Sequence, residues 1–167
     1  MSVNPELKHI SIARSYLGLT ELGSTNKHPT IDVWAKSLSG KWLIGQTWCG
    51  TFMAQVFKEA GLSTKVPKEF FRAKAWEAAG TKLDKPAYGC VVIFTRDGGG
   101  HVGFVVGKTK SGMLKVLGGN QSNAVTIQDF DPKRVTSYRW VSSGSVPLEH
   151  RYDLPVLPAG KISTNEA

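Results

Sequence analysis

Apolar side chains fall at helical spacing through the first sixty residues and alternate as strands do beyond residue 88. From Pro5 to about Leu17, the positions Leu7, Ile10, Ala13, Tyr16 and Leu17 share one face, and Gly18 stands where such a helix stops. Glu21, Gly23, Asn26 and Pro29 mark a loop, after which Ile31, Val33, Trp34 and Leu38 predict a second helix. Gly40 and Gly45 bracket a turn before a third helix. Its stripe is Cys49, Phe52, Met53, Val56 and Ala60, with Gly61 at its end, and this face is expected to pack on a sheet. A further short helix spans Phe70 to Ala79 and ends at Gly80.

Val, Ile, Phe and Thr dominate the second half, and glycines punctuate it. Five strands are predicted, at Tyr88 to Thr95, His101 to Val106, Met113 to Leu117, Ala124 to Gln128 and Val135 to Val141. Helices followed by antiparallel strands give an α+β fold, N-terminal helices packed on a sheet of about five strands. Residues 1–141 form one expected domain. Residues 142–167, with Pro147, Pro155 and Pro158 and little periodicity, form an extended or frayed C-terminal tail. Neither an internal repeat nor a low-complexity segment interrupts this order.

The chain has 167 residues, enough to bury a sizeable core without a disulfide framework or a cofactor, and it is expected to be a monomer. Its two cysteines form no Cys-x-x-Cys pair, so a structural zinc site is not expected. The first twenty residues hold Glu6, Lys8, His9 and Arg14 and no continuous apolar run, which argues against a Sec-type signal and a membrane span. A formal charge of +8, spread along the chain, suits an anionic partner. Nucleic acid is the least favoured of these, because zinc-finger and RRM-like signatures are missing and the tryptophans stand singly rather than in a ladder.

The chemistry centres on Cys49, which opens the third helix. A helix N-terminus favours thiolate over thiol through its open amides and dipole. His101 begins a strand, and Asn120 follows Leu114-Lys115-Val116-Leu117-Gly118-Gly119. Nucleophile, base and orienter thus occur in that order, the logic of a triad with sulfur as the attacking atom. Gly103, on the same strand face as His101, leaves room for thiolate and substrate, and the run Gly98-Gly99-Gly100 would let a substrate backbone approach. The oxyanion would face the backbone amide of Cys49, helped by Gln46.

Plainer explanations stand beside these. A cysteine in a helix is usually a small buried apolar side chain, and Cys90, mid-strand with no dipole near it, fits that description best. A Cys49–Cys90 bridge would silence the chemistry. His9, His28 and His150 lack zinc-binding spacing and read as solvated. Glu21 is either a solvated loop acid or a carboxylate for a substrate amine, and Trp42, Trp48 and Trp76 either line a groove or fill the core. Asn120-Gln121-Ser122 matches a glycosylation sequon by chance, and Gly103 to Thr109 is one residue short of a phosphate loop.

With those residues in place, the chain resembles the papain-like amidohydrolases of the CHAP and NlpC type, in particular small phage endolysins. The segments that carry the resemblance are Trp48-Cys49-Gly50-Thr51-Phe52, Gly89 to Phe94, Gly100-His101-Val102-Gly103-Phe104, Val116 to Gln121, and Tyr138-Arg139. Tyr16-Leu17-Gly18 and Glu21-Leu22-Gly23 fit the same group. The resemblance implies Cys49 as nucleophile, His101 as base and Asn120 as orienter, with Gln46, Trp48, Glu21 and Gly100 toward oxyanion and substrate. Two departures stand out. Relatives usually have Gly-Asp where this chain has Gly89-Cys90, and many CHAP enzymes carry a glutamate where Gly118 stands.

The implied activity is cleavage of amide bonds in peptidoglycan, as a stem-peptide endopeptidase or an N-acetylmuramoyl-L-alanine amidase, without metal or cofactor. An endolysin made in the host cytoplasm and released to the wall is the expected setting, its basic surface holding an anionic envelope. The rivals are a secreted antibacterial effector of the same chemistry and a non-catalytic wall-binding or phage structural domain.

Overall fold

A computed structural model describes residues 6–20, 29–39, 47–144 and 146–164. Three helices come first: α1 (Lys8–Ser15), α2 (Pro29–Ser39) and α3 (Cys49–Glu59). Six strands follow: β1 (Thr81–Leu83), β2 (Val91–Arg96), β3 (Gly99–Lys108), β4 (Leu114–Gly118), β5 (Thr126–Phe130) and β6 (Val135–Trp140). They form one antiparallel sheet in the order β1-β6-β2-β3-β4-β5. The α+β layout holds, with six strands rather than five. The additional strand, β1, is only three residues long and pairs Thr81 with Trp140 and Leu83 with Tyr138 at the sheet edge. The expected helix over Phe70 to Ala79 is a 3₁₀ turn at Ala73–Ala78. No described helix is long and apolar enough to cross a membrane.

The alternation of β2 and β3 sorts their side chains into two cores. Val91, Ile93, Val102, Phe104 and Val106 face the helices and meet Phe52, Met53, Val56 and Phe57 of α3. Cys90, Val92, Phe94 and Val105 face the other way and pack with Leu114, Val116, Phe130 and Trp140. Each fully buried residue of this size contributes about 1.5–3 kcal/mol. Both sheet faces are therefore covered, which is why β4 is buried along its whole length.

His9 is not solvated. It follows the buried stripe of α1, one turn before Ala13, and its Nε2–H donates to the Gly89 carbonyl over 2.8 Å. The ring lies 5.3 Å from both Phe57 and Phe104, and burial pushes its pKa below 6.5. His150 is half-buried near the chain end, and His28 lies outside the described residues.

The tail is extended but tied down. Lys108 N–H donates to Pro155 O, Leu157 N–H to Lys108 O, Asp129 N–H to Lys161 O and Ser163 N–H to Asp129 O, each within 2.8–2.9 Å. Beneath it Lys115 and Asp129 form a buried ion pair of 2.6 Å, and Gly160 N–H donates 2.7 Å to the other carboxylate oxygen.

Candidate active site

Cys49 is the first residue of α3 and is 2 % exposed. No side chain caps this helix and its first turn holds no acid, so its amides are open. The amides of Gly50, of Cys49 itself and of Val102 in β3 all favour the thiolate. The Val102 N–H can face the sulfur because β4 ends at Gly118, leaving that edge of β3 unclaimed by a strand partner. The sulfur thus sits in a notch of the sheet, one peptide unit from His101.

Burial nevertheless pushes the thiol up from its usual value of 9.0, outweighing the three amides and the positive charge of Arg96. The open amides of the helix start favour thiolate, but desolvation is larger. At neutral pH the resting group is a thiol. Cys90 is also buried, its thiol pushed up to about 12 by desolvation, and both cysteines are free, so no bridge joins them.

His101 is fully buried and its ring stacks on Phe130 at 5.4 Å and 4°, and on Phe94 at 6.3 Å. Its Nε2 lies 2.9 Å from Gln121 Oε1. Asn120 is the orienter expected from the sequence, and its neighbour Gln121 is the side chain on this nitrogen. Asn120 is buried beside it with φ of 58°, and Ser122 and Asn123 share that left-handed conformation. This tight turn folds the fully buried Gln121 back under β3.

The space for Gln121 comes from missing side chains. A Cβ on Gly118 would collide with Gln121 Oε1 and lie 3.5 Å from His101 Nε2. A Cβ on Gly103 would lie 2.6 Å from Val116 and 3.6 Å from the same oxygen. The amide of Gln121 therefore occupies the position to which a side chain at residue 118 would point. Gly103, Gly118 and the glutamine were all visible in the sequence. Their mutual proximity required the turn.

The direction of the His101–Gln121 bond is fixed by the rest of the amide. Gln121 Nε2 donates to Val116 O (3.1 Å) and Thr126 O (2.9 Å), both of which only accept. Oε1 must then face the imidazole, so His101 Nε2 carries the hydrogen and Nδ1 is the proton-accepting nitrogen.

Trp48 is 3 % exposed, and its ring lies against Gly119, where a Cβ would stand 2.7 Å from it. Trp76 is a core residue whose indole N–H donates to Phe70 O over 2.9 Å. Gly100 is half-buried, and a Cβ there would meet the Phe94 carbonyl, the Lys74 stem and Ala73. Glu21, Gln46 and Trp42 lie outside the described residues. Among the described residues, no cluster of three or more His, Cys, Asp or Glu side chains could hold a metal ion.

No curated protein sequence matches the chain. The family model of the CHAP domain matches residues 41–120, a span that contains α3, β2, β3 and β4 with Cys49, His101 and Asn120 and stops one residue before Gln121. Just under half of this chain is thus similar to the CHAP domain, a module that is generally a cysteine- and histidine-dependent hydrolase of peptidoglycan.

Proposed function

We propose that the protein is a bacteriolytic cysteine hydrolase of papain-like fold that cleaves amide bonds in peptidoglycan, with Cys49 as nucleophile and His101 as base. What carries this reading is the Cys49 sulfur at an uncapped helix N-terminus, under the influence of the amide next to His101, whose own tautomer is set by Gln121. The match at residues 41–120 supports the substrate class.

The steps follow from the proton positions. Substrate carbonyl enters the notch, His101 Nδ1 takes the Cys49 proton, and the sulfur forms a bond to the carbonyl carbon. Amides at the start of α3 stabilise the oxyanion. As the tetrahedral species collapses, the carbon–nitrogen bond breaks and the imidazolium gives its proton to the departing amine. Water, deprotonated by the imidazole, then releases the acid from the thioester. Gln121 keeps the ring oriented, and Asn120 holds the turn that positions Gln121. The biological setting we favour is phage-encoded host lysis, with the enzyme made in the cytoplasm and acting at the wall, where a charge of +8 would hold it to an anionic envelope.

The test is clearing of purified sacculi by the wild type, Cys49→Ala and His101→Ala. Both variants are expected to lose clearing while their circular dichroism is unchanged. A Cys49→Ala variant that still clears walls would end the proposal, and a wild type without turnover would leave a wall-binding or structural module.

A further inference from the structure

The β2–β3 hairpin brings a cation to the rim of this site. Arg96 ends β2 and pairs with Gly99, two residues before His101. Its Nε donates to the Gly100 carbonyl over 3.0 Å, and a Cβ on Gly99 would stand 3.9 Å from its Nη2. The guanidinium is thus folded back along the first residues of β3. Pleating sets Arg96 on the same sheet face as Phe94 and Phe94's cross-strand partner, His101.

The side chain is half-buried, and among the described residues no carboxylate forms an ion pair with it. Among the described residues its hydrogen bond is made through Nε, which leaves the terminal nitrogens of the fork to face a ligand. The charge also reaches Cys49, where it favours the thiolate, although Arg96 stands on the Phe94–His101 face of the sheet and α3 on the other. Among the described residues, amides and this cation favour the thiolate of that sulfur, and a neutral amide lies on His101 Nε2. The exposed Lys74, whose stem lies against Gly100 on the other sheet face, adds positive charge at the same end of the hairpin. Such a rim matches an anionic group on the substrate, and a planar guanidinium matches a carboxylate with two parallel hydrogen bonds.

We propose that Arg96 is a substrate-binding residue that receives a carboxylate next to the amide under attack, so that the enzyme selects stem peptides with a free carboxylate there over amidated ones. The polymer named here rests on the proposed peptidoglycan hydrolysis, whereas the carboxylate contact rests on the hairpin alone.

Two alkylating reagents separate the two. Iodoacetate and iodoacetamide both form a carbon–sulfur bond to Cys49 and release iodide, and they differ only in carboxylate against carboxamide. Rates are read at Cys49 by peptide mapping of the full chain, with Cys90 mapped separately. Arg96→Gln is expected to lower the iodoacetate-to-iodoacetamide rate ratio about tenfold, the order of one charge-assisted contact, and Arg96→Lys to restore part of it. A ratio unchanged in both variants overturns the proposal. In parallel, sacculi are compared with sacculi whose carboxylates have been converted to amides by carbodiimide and ammonia. The wild type should release fragments about tenfold more slowly from the amidated walls, and Arg96→Gln should show little difference between the two. Equal rates on both walls for wild type and variant overturn the carboxylate site. An Arg96-dependent reagent ratio with no cleavage of either wall supports it and overturns the peptidoglycan reading instead.

Discussion

The hydrogen of the His101–Gln121 bond resides on the imidazole, because both hydrogens of the Gln121 amide are committed to backbone carbonyls. A neutral side chain that only accepts can hold the ring and its tautomer, but it cannot stabilise an imidazolium as a carboxylate would. Burial displaces the Cys49 pKa upward, which favours the thiol in the absence of substrate.

Gln121→Leu should lower kcat/KM by roughly 10- to 100-fold, since the ring loses its acceptor and the Val116 and Thr126 carbonyls lose their donor. Gln121→Glu should instead move the acid limb of the pH–rate profile to higher pH, because a carboxylate beside the ring favours imidazolium. Its melting temperature should also fall, as the carboxylate would face two carbonyls. A pH profile unmoved by the glutamate would show that Gln121 does not govern the base.

Alkaline behaviour follows from the buried thiols and phenol. An unfolded cysteine ionises near 9.0, whereas Cys90 in the fold ionises at about 12, and burial with Cys90 nearby pushes Tyr138 up to about 12 as well. The folded chain retains protons that the unfolded chain has lost, so stability is present below pH 9 and is lost as pH rises toward 12. Denaturant midpoints between pH 8 and 11 should fall, and Cys90→Ala should reduce the decline. Iodoacetamide at pH 7 should modify Cys49 slowly and Cys90 not measurably within the same time.

At the acid end the sensitive group is His9. Desolvation lowers its pKa below 6.5 against smaller raising contributions from the Gly89 carbonyl and Glu6, with Arg151 lowering it further. The unfolded chain binds a proton near pH 6.5 that the folded chain refuses, so stability is lost as pH falls below that value. Melting curves from pH 7.5 to 5 should show this loss. In His9→Gln, whose amide still donates to Gly89, the slope should be shallower, and an identical slope would place the sensitivity elsewhere.

The tail contributes through the ion pair that it covers. Asp129→Asn leaves Lys115 charged and buried, at a cost of about 3 kcal/mol, and in a chain of this size the melting temperature should fall by roughly 10 °C. Truncation after Asp153 should also lower it, because the Gly160 and Ser163 amides no longer meet Asp129. A truncated chain with unchanged melting would mean that the strap is stabilised by, rather than stabilising, the sheet.

Much of this arrangement was legible in the residues themselves. The apolar stripe of α3 placed Cys49 at a helix start, and alternation along His101 to Val106 placed the imidazole at a strand mouth. Three features were not legible. β1 is too short to alternate, and its pairing with β6 comes from tertiary neighbours rather than local propensity. The burial of His9 arises from the aromatic pair Phe57 and Phe104, which are distant in sequence. Gln121 was hidden by the turn at residues 120–123, where left-handed Asn120, Ser122 and Asn123 surround it and reverse the direction in which its side chain points.

The most direct measurement is capture of the acyl-enzyme. Purified protein is mixed with sacculi, quenched in acid within milliseconds to seconds, and mapped by mass spectrometry. A stem-derived acyl group is expected on the peptide containing Cys49, lost on treatment with hydroxylamine and missing from Cys49→Ala. Wall fragments released at full rate by Cys49→Ala, with no adduct on the wild type, would contradict it.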